Sequence, residues 1–145
     1  MNWKYEAIAK LKDYDAHQQA LTNIPEEMKR LEGNFASIRS SRTDATPMRG
    51  GSNAREDALL SNIVHRDELK AQYEDAKLWV STVDRALDVL SDEDRLVLDR
   101  FYMHPAKGNV ERLCEELGLE KTAVYGRRNN ALRSVIIALY SVTEI

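Results

Sequence analysis

Between residues 121 and 133 the chain carries Lys121, Thr122, Tyr125, Arg127, Arg128, Asn129 and Arg133. Hydroxyl, amide and guanidinium groups of this kind hydrogen-bond base edges and phosphate oxygens. With Val124 set at zero and 100° per residue, Thr122, Gly126, Asn129, Asn130 and Arg133 fall opposite the apolar side of a helix. Tyr125 and Arg127 lie on its flanks. From Lys121 to Thr143 there is no Asp or Glu, whereas residues 110–120 hold Glu111, Glu115, Glu116 and Glu120. Acid and base are therefore segregated on consecutive elements, although the whole chain has a net charge of −3. The plainer reading is a solvated helix with basic residues near its C-terminal end, where the helix dipole favours them.

Those residues need a scaffold, and "ERLCEELGLEKTAVYGRRNNALRS" supplies the pattern of one. Leu113 and Leu117 stand one turn apart on an inner face, and Cys114 is small enough for a second helix to cross closely. Gly118 suits the positive φ that ends a helix. Leu119 plugs the corner, and Val124, Ala131, Leu132, Val135 and Leu139 form the inner face of the second helix. Upstream, Ser91 and Asp94 make a capping box, with three acids in the first turn. Leu96, Val97, Leu98, Phe101 and Tyr102 supply a core surface, Pro105 and Gly108 end that helix, and Asn109 is expected to cap the next.

The N-terminal part reads as long helices. Ala7, Leu11, Tyr14 and Leu21 form a stripe with Gln18 as its weak point. Ile24, Met28, Leu31, Phe35 and Ile38 continue at 4-3-4-3 spacing after Asn23, a candidate cap, and Pro25. These are two helices or one kinked at Pro25. Residues 39–55, "RSSRTDATPMRGGSNAR", break the periodicity and predict a flexible connection. Its Arg39, Arg42, Arg49 and Arg55 make it either a solvated linker or an arm that touches phosphates. A helix from about Ala54 to Leu90 follows, with Leu69, Tyr73, Ala76, Val80, Val83, Leu87 and Leu90 in strict heptad spacing. Upstream the register meets Arg66 and Asn62. Such a narrow seam packs on another helix. The N-terminal helices of the same chain or a second copy could fill it, and a homodimer is the expectation.

With 145 residues, six Gly, three Pro, 43% hydrophobic and 31% charged residues, the composition predicts an all-α chain with its own core. Cys114 is the single cysteine, so no intramolecular disulfide forms. No signal-peptide core or run of 18 apolar residues occurs, and a cytoplasmic protein is expected. His17, His65 and His104 share no metal-ligand spacing with each other or with Cys114. "RGGSN" lacks the Lys and the strand of a phosphate loop. No enzyme, metal site or cofactor is predicted. Cys114, Trp3 and Trp79 read as packing residues.

Residues 90–135, "LSDEDRLVLDRFYMHPAKGNVERLCEELGLEKTAVYGRRNNALRSV", resemble region 4 of the sigma-70 family, which reads the promoter −35 element. With "ATPMRGGSNAREDALLSNIVHRDEL" and the long helix, residues 25–140 are similar to the small sigma-like regulators of Gram-positive phages and prophages, the ArpU/RinA type of late-gene activator. The resemblance implies a helical dimerisation or interaction region over 1–90 and a helix-turn-helix DNA-binding domain over 91–145. A recognition helix from about Lys121 would enter the major groove of double-stranded DNA. Lys121, Thr122, Tyr125 and Gly126 match base-reading positions. RNA polymerase is an implied partner, and the bacterial nucleoid the implied location. Two departures stand out. Gly126 has no side chain where a long polar one is usual, and Arg127 occupies an aliphatic core position, from which it and Arg128 could snorkel to phosphates. The competing readings are a small-terminase-like DNA-packaging subunit, which would assemble into rings, and an RNA polymerase or sigma adaptor that never touches DNA.

Overall fold

The computed structural model describes residues 2–40 and 51–142. Among them every regular element is helical: α1 (Trp3–Lys12), α2 (Tyr14–Ser40), α3 (Gly51–Asp88), α4 (Asp92–Leu98), α5 (Asn109–Leu117) and α6 (Lys121–Tyr140). Among the described residues no helix is long and apolar enough to cross a membrane. The fold is all-α, as the composition predicts. Its contacts divide into two compact units, residues 1–18 with 78–145, and residues 19–77. The stretch expected as one N-terminal region, 1–90, is thus shared between both.

In the first unit α1 starts at Asn2, whose Oδ1 accepts the Tyr5 amide at 3.0 Å, a side-chain cap of the usual kind. The helical stripe does not run unbroken to residue 22. It turns at Asp13 (φ −92°, ψ 1°), and the Asp13 carbonyl accepts both the His17 amide at 3.1 Å and His17 Nδ1 at 2.8 Å. Ala7 and Leu11 are fully buried against Val83 and Leu87 of α3, Leu90 just after it, and Leu132, Val135 and Ile136 of α6. Trp3 packs against Tyr140 with ring centroids 4.6 Å apart and the rings tilted by 36°, and Trp79 Nε1 donates to the Lys10 carbonyl at 3.1 Å. Both tryptophans are therefore packing residues. Tyr14 donates to Asp84 Oδ1 at 2.6 Å; burial, and then that carboxylate, push its hydroxyl up to about 12.

The second unit pairs the middle of α2 with the first part of α3. Ile24 and Leu31 meet Leu69, flanked by Ala20, Met28 and Tyr73. Arg55 donates to the carbonyls of Ile38 (3.2 Å) and Arg39 (2.5 Å), while Asn62 Nδ2 donates to that of Leu31 at 2.8 Å. Later residues of α3 thus meet earlier residues of α2, so the two run antiparallel. Asn62, which interrupts the heptads, is buried and satisfied: its Oδ1 accepts Arg66 Nε at 2.8 Å, and the Arg66 guanidinium lies 4.8 Å from the Phe35 ring centre.

Three sequence expectations change here. Pro25 neither starts nor ends a helix; α2 continues through it, and Asn23 serves as a side-chain acceptor for Gln19 within the helix, not as a cap. The missing Pro25 amide removes one backbone bond, but Ile24 and Leu31 are buried on the same helix, and that burial opposes the loss. The 39–55 connection is shorter than expected, since α2 reaches Ser40 and α3 begins at Gly51. Residues 41–50, with Arg42 and Arg49, lie outside the described residues. Finally, Leu69, Ala76, Val80, Val83, Leu87 and Leu90 are buried and Tyr73 is half-buried within the single chain, so burial of the heptad seam does not by itself call for a second copy.

Candidate nucleic-acid interface

Ser91 Oγ accepts the Asp94 amide at 3.2 Å and starts α4, with Asp92, Glu93 and Asp94 in the first turn. The last turn, residues 99–103, widens to π geometry, closed by the His104 amide on the Asp99 carbonyl at 2.6 Å. Widening a turn in this way changes which way successive side chains point. Phe101 packs with Leu113, Val124 and Val97, while its neighbours Tyr102 and Met103 join the core built on Leu98 and Leu132.

Gly108 (φ 81°) precedes α5, and Asn109 does not cap that helix with its side chain. It sits within the first turn, 8% exposed, and its Nδ2 donates back to the carbonyls of Arg100 (2.7 Å) and His104 (3.4 Å). The amide thereby satisfies carbonyls that the end of the preceding helix leaves open. Gly118 takes φ 64°, and the amides of Gly118 and Leu119 both bond the Cys114 carbonyl. After this tight turn α6 begins. Its N-terminal amides have no side-chain cap from Glu120.

The inner face of α6 follows the sequence pattern. Val124 and Val135 are fully buried, Ala131 and Leu132 are at 1–2%, and Ile136, which the pattern missed, is at 2%. Cys114, Leu117 and Leu119 are half-buried around Leu113 and Val124. The outer face is an exposed stripe in which Thr122, Tyr125, Asn129 and Arg133 succeed one another at steps of three, four and four. Lys121, Gly126 and Asn130 flank it and are exposed as well. A Cβ added to Gly126 would meet nothing within 4 Å.

Arg127 and Arg128 stand apart from the other predicted site residues. Both are half-buried. Arg127 pairs with Glu93, and its Nε lies 3.5 Å from Asp94 Oδ1, so it fastens α6 to the acidic first turn of α4. The outward reach to phosphates expected from its position is thus taken by carboxylates of the same chain. Arg128 lies over two aromatic rings, Phe101 and Tyr125, each 5.0 Å from its guanidinium carbon. Lys121 and Arg133 are the exposed cations of α6 that pair with no acid among the described residues. Of four positive charges counted on this helix, one is neutralised and one is lodged against rings. Glu93, Asp94 and Phe101, 27–34 residues away, carry no sequence signal that would have linked them to Arg127 and Arg128.

Outside this surface, His104 receives two carboxylates: Asp99 Oδ1 at 2.7 Å from Nδ1 and Asp15 Oδ2 at 2.5 Å from Nε2. The hydrogen bond to Asp99, then that to Asp15, raise its pKa above the ordinary histidine value. Among the described residues no three His, Cys, Asp or Glu side chains converge on a metal-sized site. Compared with protein-family models, curated proteins and solved structures, the chain matches none.

Proposed function

We propose that the chain is a sequence-specific DNA-binding regulator of phage or prophage transcription, in which α5 and α6 form a helix-turn-helix and α6 enters the major groove. The observation that carries this reading is the two-faced character of α6. Its inner side is sealed by Val124, Ala131, Leu132 and Val135, and its outer side presents Thr122, Tyr125, Asn129 and Arg133 as one exposed polar stripe. A helix that only closed a bundle corner would have no requirement for a row of groups that hydrogen-bond bases and phosphates. The uncapped N-terminus of α6 adds amides suited to a phosphate oxygen. The resemblance of residues 90–135 to sigma region 4 supplies the promoter context and suggests RNA polymerase as a partner.

Pairing of two copies is not required by this reading, because the heptad seam is filled within one chain. With Lys121 and Arg133 as the unpaired side-chain cations, the grip relies less on phosphates than the charge count in the sequence implies. Selection of binding sites from a random-sequence duplex pool, followed by a salt series on the selected duplex, tests the proposal. The expected result is one enriched sequence motif, with affinity that falls on a log–log plot by about 0.9 per phosphate contacted. Failure to bind any duplex at low salt would overturn it. So would binding with no dependence on salt.

A further inference from the structure

Arg128 occupies the interface without behaving like a phosphate ligand. Its guanidinium carbon lies 5.0 Å from the centroids of both Phe101 and Tyr125, whose rings are 5.8 Å apart and tilted by 58°. Its Nε and Nη2 both donate to Asn129 Oδ1, at 3.2 and 3.1 Å. A planar guanidinium suits this arrangement, since it attracts π-faces while its edge donates in a fork. A point-charge ammonium would not do both. The two residues it touches on α6, Tyr125 and Asn129, are adjacent members of the exposed stripe.

We propose that Arg128, braced by Phe101, is a positioning residue that presets Tyr125 and Asn129 for base reading. This rests on α6 being the recognition helix. The bracing residue comes from the π turn after α4, outside the helix-turn-helix itself, which gives that widened turn a role. The arrangement also restricts what Asn129 reads. Two guanidinium N–H groups face its Oδ1, so the amide presents its Nδ2 hydrogens outward. An asparagine that pairs bidentately with adenine must accept from N6 while donating to N7. Asn129 instead acts as a donor, which suits N7 or O6 of guanine, N7 of adenine or O4 of thymine.

The test uses the full chain, the duplex selected by wild type, and a random-sequence duplex of equal length. Arg128→Gln is expected to keep the slope of log affinity against log salt, while the preference for the selected duplex falls about tenfold, the size of one lost base contact. Arg128→Lys and Phe101→Leu are expected to reproduce that loss, as neither retains the stacked fork. Arg133→Gln, the contrasting variant, is expected to flatten the salt slope by about 0.9 and weaken both duplexes alike. The proposal is overturned if Arg128→Gln flattens the slope and keeps the preference, or if Phe101→Leu selects the wild-type motif unchanged. Amide proton shifts of Asn129 in the free protein, altered by Arg128→Gln but not by Arg133→Gln, supply a readout that needs no DNA. Wild type that binds no duplex overturns the recognition-helix reading itself, whereas the outcomes above overturn Arg128 positioning alone.

Discussion

The two compact units differ in how their helices are held. The first closes Leu11, Val83, Leu98, Leu113, Val124 and Val135 completely away from solvent. The second, residues 19–77, rests on Ile24, Leu31 and Leu69, each still 6–9% exposed, and leaves Leu60, Ile63 and Val64 between 38% and 60% exposed. Where the first unit has a layered apolar interior, the second has one narrow seam interrupted by the polar Asn62–Arg66 pair. A two-helix hairpin offers each side chain a single facing helix, so its large side chains keep an edge in solvent, and only the small Ala76 is closed off, at 2%. The α4–α6 region surrounds each inner residue from three elements. The polar stripe of α6 is thus mounted on the better-packed unit.

The largest expected difference between the two units comes from truncating one leucine in each core. Leu98→Ala is expected to cost about 3–5 kcal/mol in urea denaturation, because a fully enclosed site leaves a cavity that cannot collapse. Leu69→Ala is expected to cost nearer 2 kcal/mol, since solvent and flexible neighbours relieve the gap. Equal costs would show the hairpin to be as tightly packed as the core. Hydrogen exchange should agree, with amides of residues 26–38 and 56–75 opening at lower free energy than those of residues 131–136.

Smaller effects sharpen the account of α6. Gly126→Ala places a methyl in open space in mid-helix and is expected to raise stability by up to about 1 kcal/mol. If α6 lies in the groove, the same variant should alter DNA affinity while the protein becomes more stable. Arg127→Ala is expected to cost about 0.5–1 kcal/mol, a partly exposed ion pair being screened by solvent, and to leave the salt slope of DNA binding intact. A slope flattened by a full contact would return Arg127 to the phosphates.

The smallest effect is a pH dependence at His104. Its folded pKa is raised above the unfolded value of 6.5 by Asp99 and then Asp15. The stabilisation is therefore fully present below pH 6.5 and fades as pH rises through the folded value. With the ring 55% exposed, only a slight change is expected. Comparing melting temperatures of wild type and His104→Gln across this range checks it: the difference should shrink as pH rises. A difference that grew with pH would mean that the neutral ring is the form held in place.

Much of the fold was legible in local spacing. Leu113, Val124, Ala131, Leu132 and Val135 are recognisable because a helix repeats its inner face every three or four residues, and their burial follows the pattern. Gly118 and Ser91 are recognisable because a left-handed turn and a side-chain cap each favour particular residue types. Arg127 and Arg128 were not legible, since an exposed arginine and one committed to Glu93 or to Phe101 have identical local sequence. Asn109 misled for a related reason: a residue typed as a cap was recruited by carbonyls of the preceding turn.

The sequence by itself determined an all-helical chain, the apolar stripes of its helices, the turn at Gly118 and the polar row on α6. These depend on neighbours within four residues, where geometry is nearly fixed. Only the tertiary structure decided that the heptad seam is filled by the chain's own helices. It alone decided that one arginine of α6 is neutralised by α4, and that another is clamped between rings around the residues it sets. Those outcomes turn on Leu69 meeting Leu31, Arg127 meeting Glu93 and Arg128 meeting Phe101, pairs 27 or more residues apart, and the distance between such groups is set by packing alone.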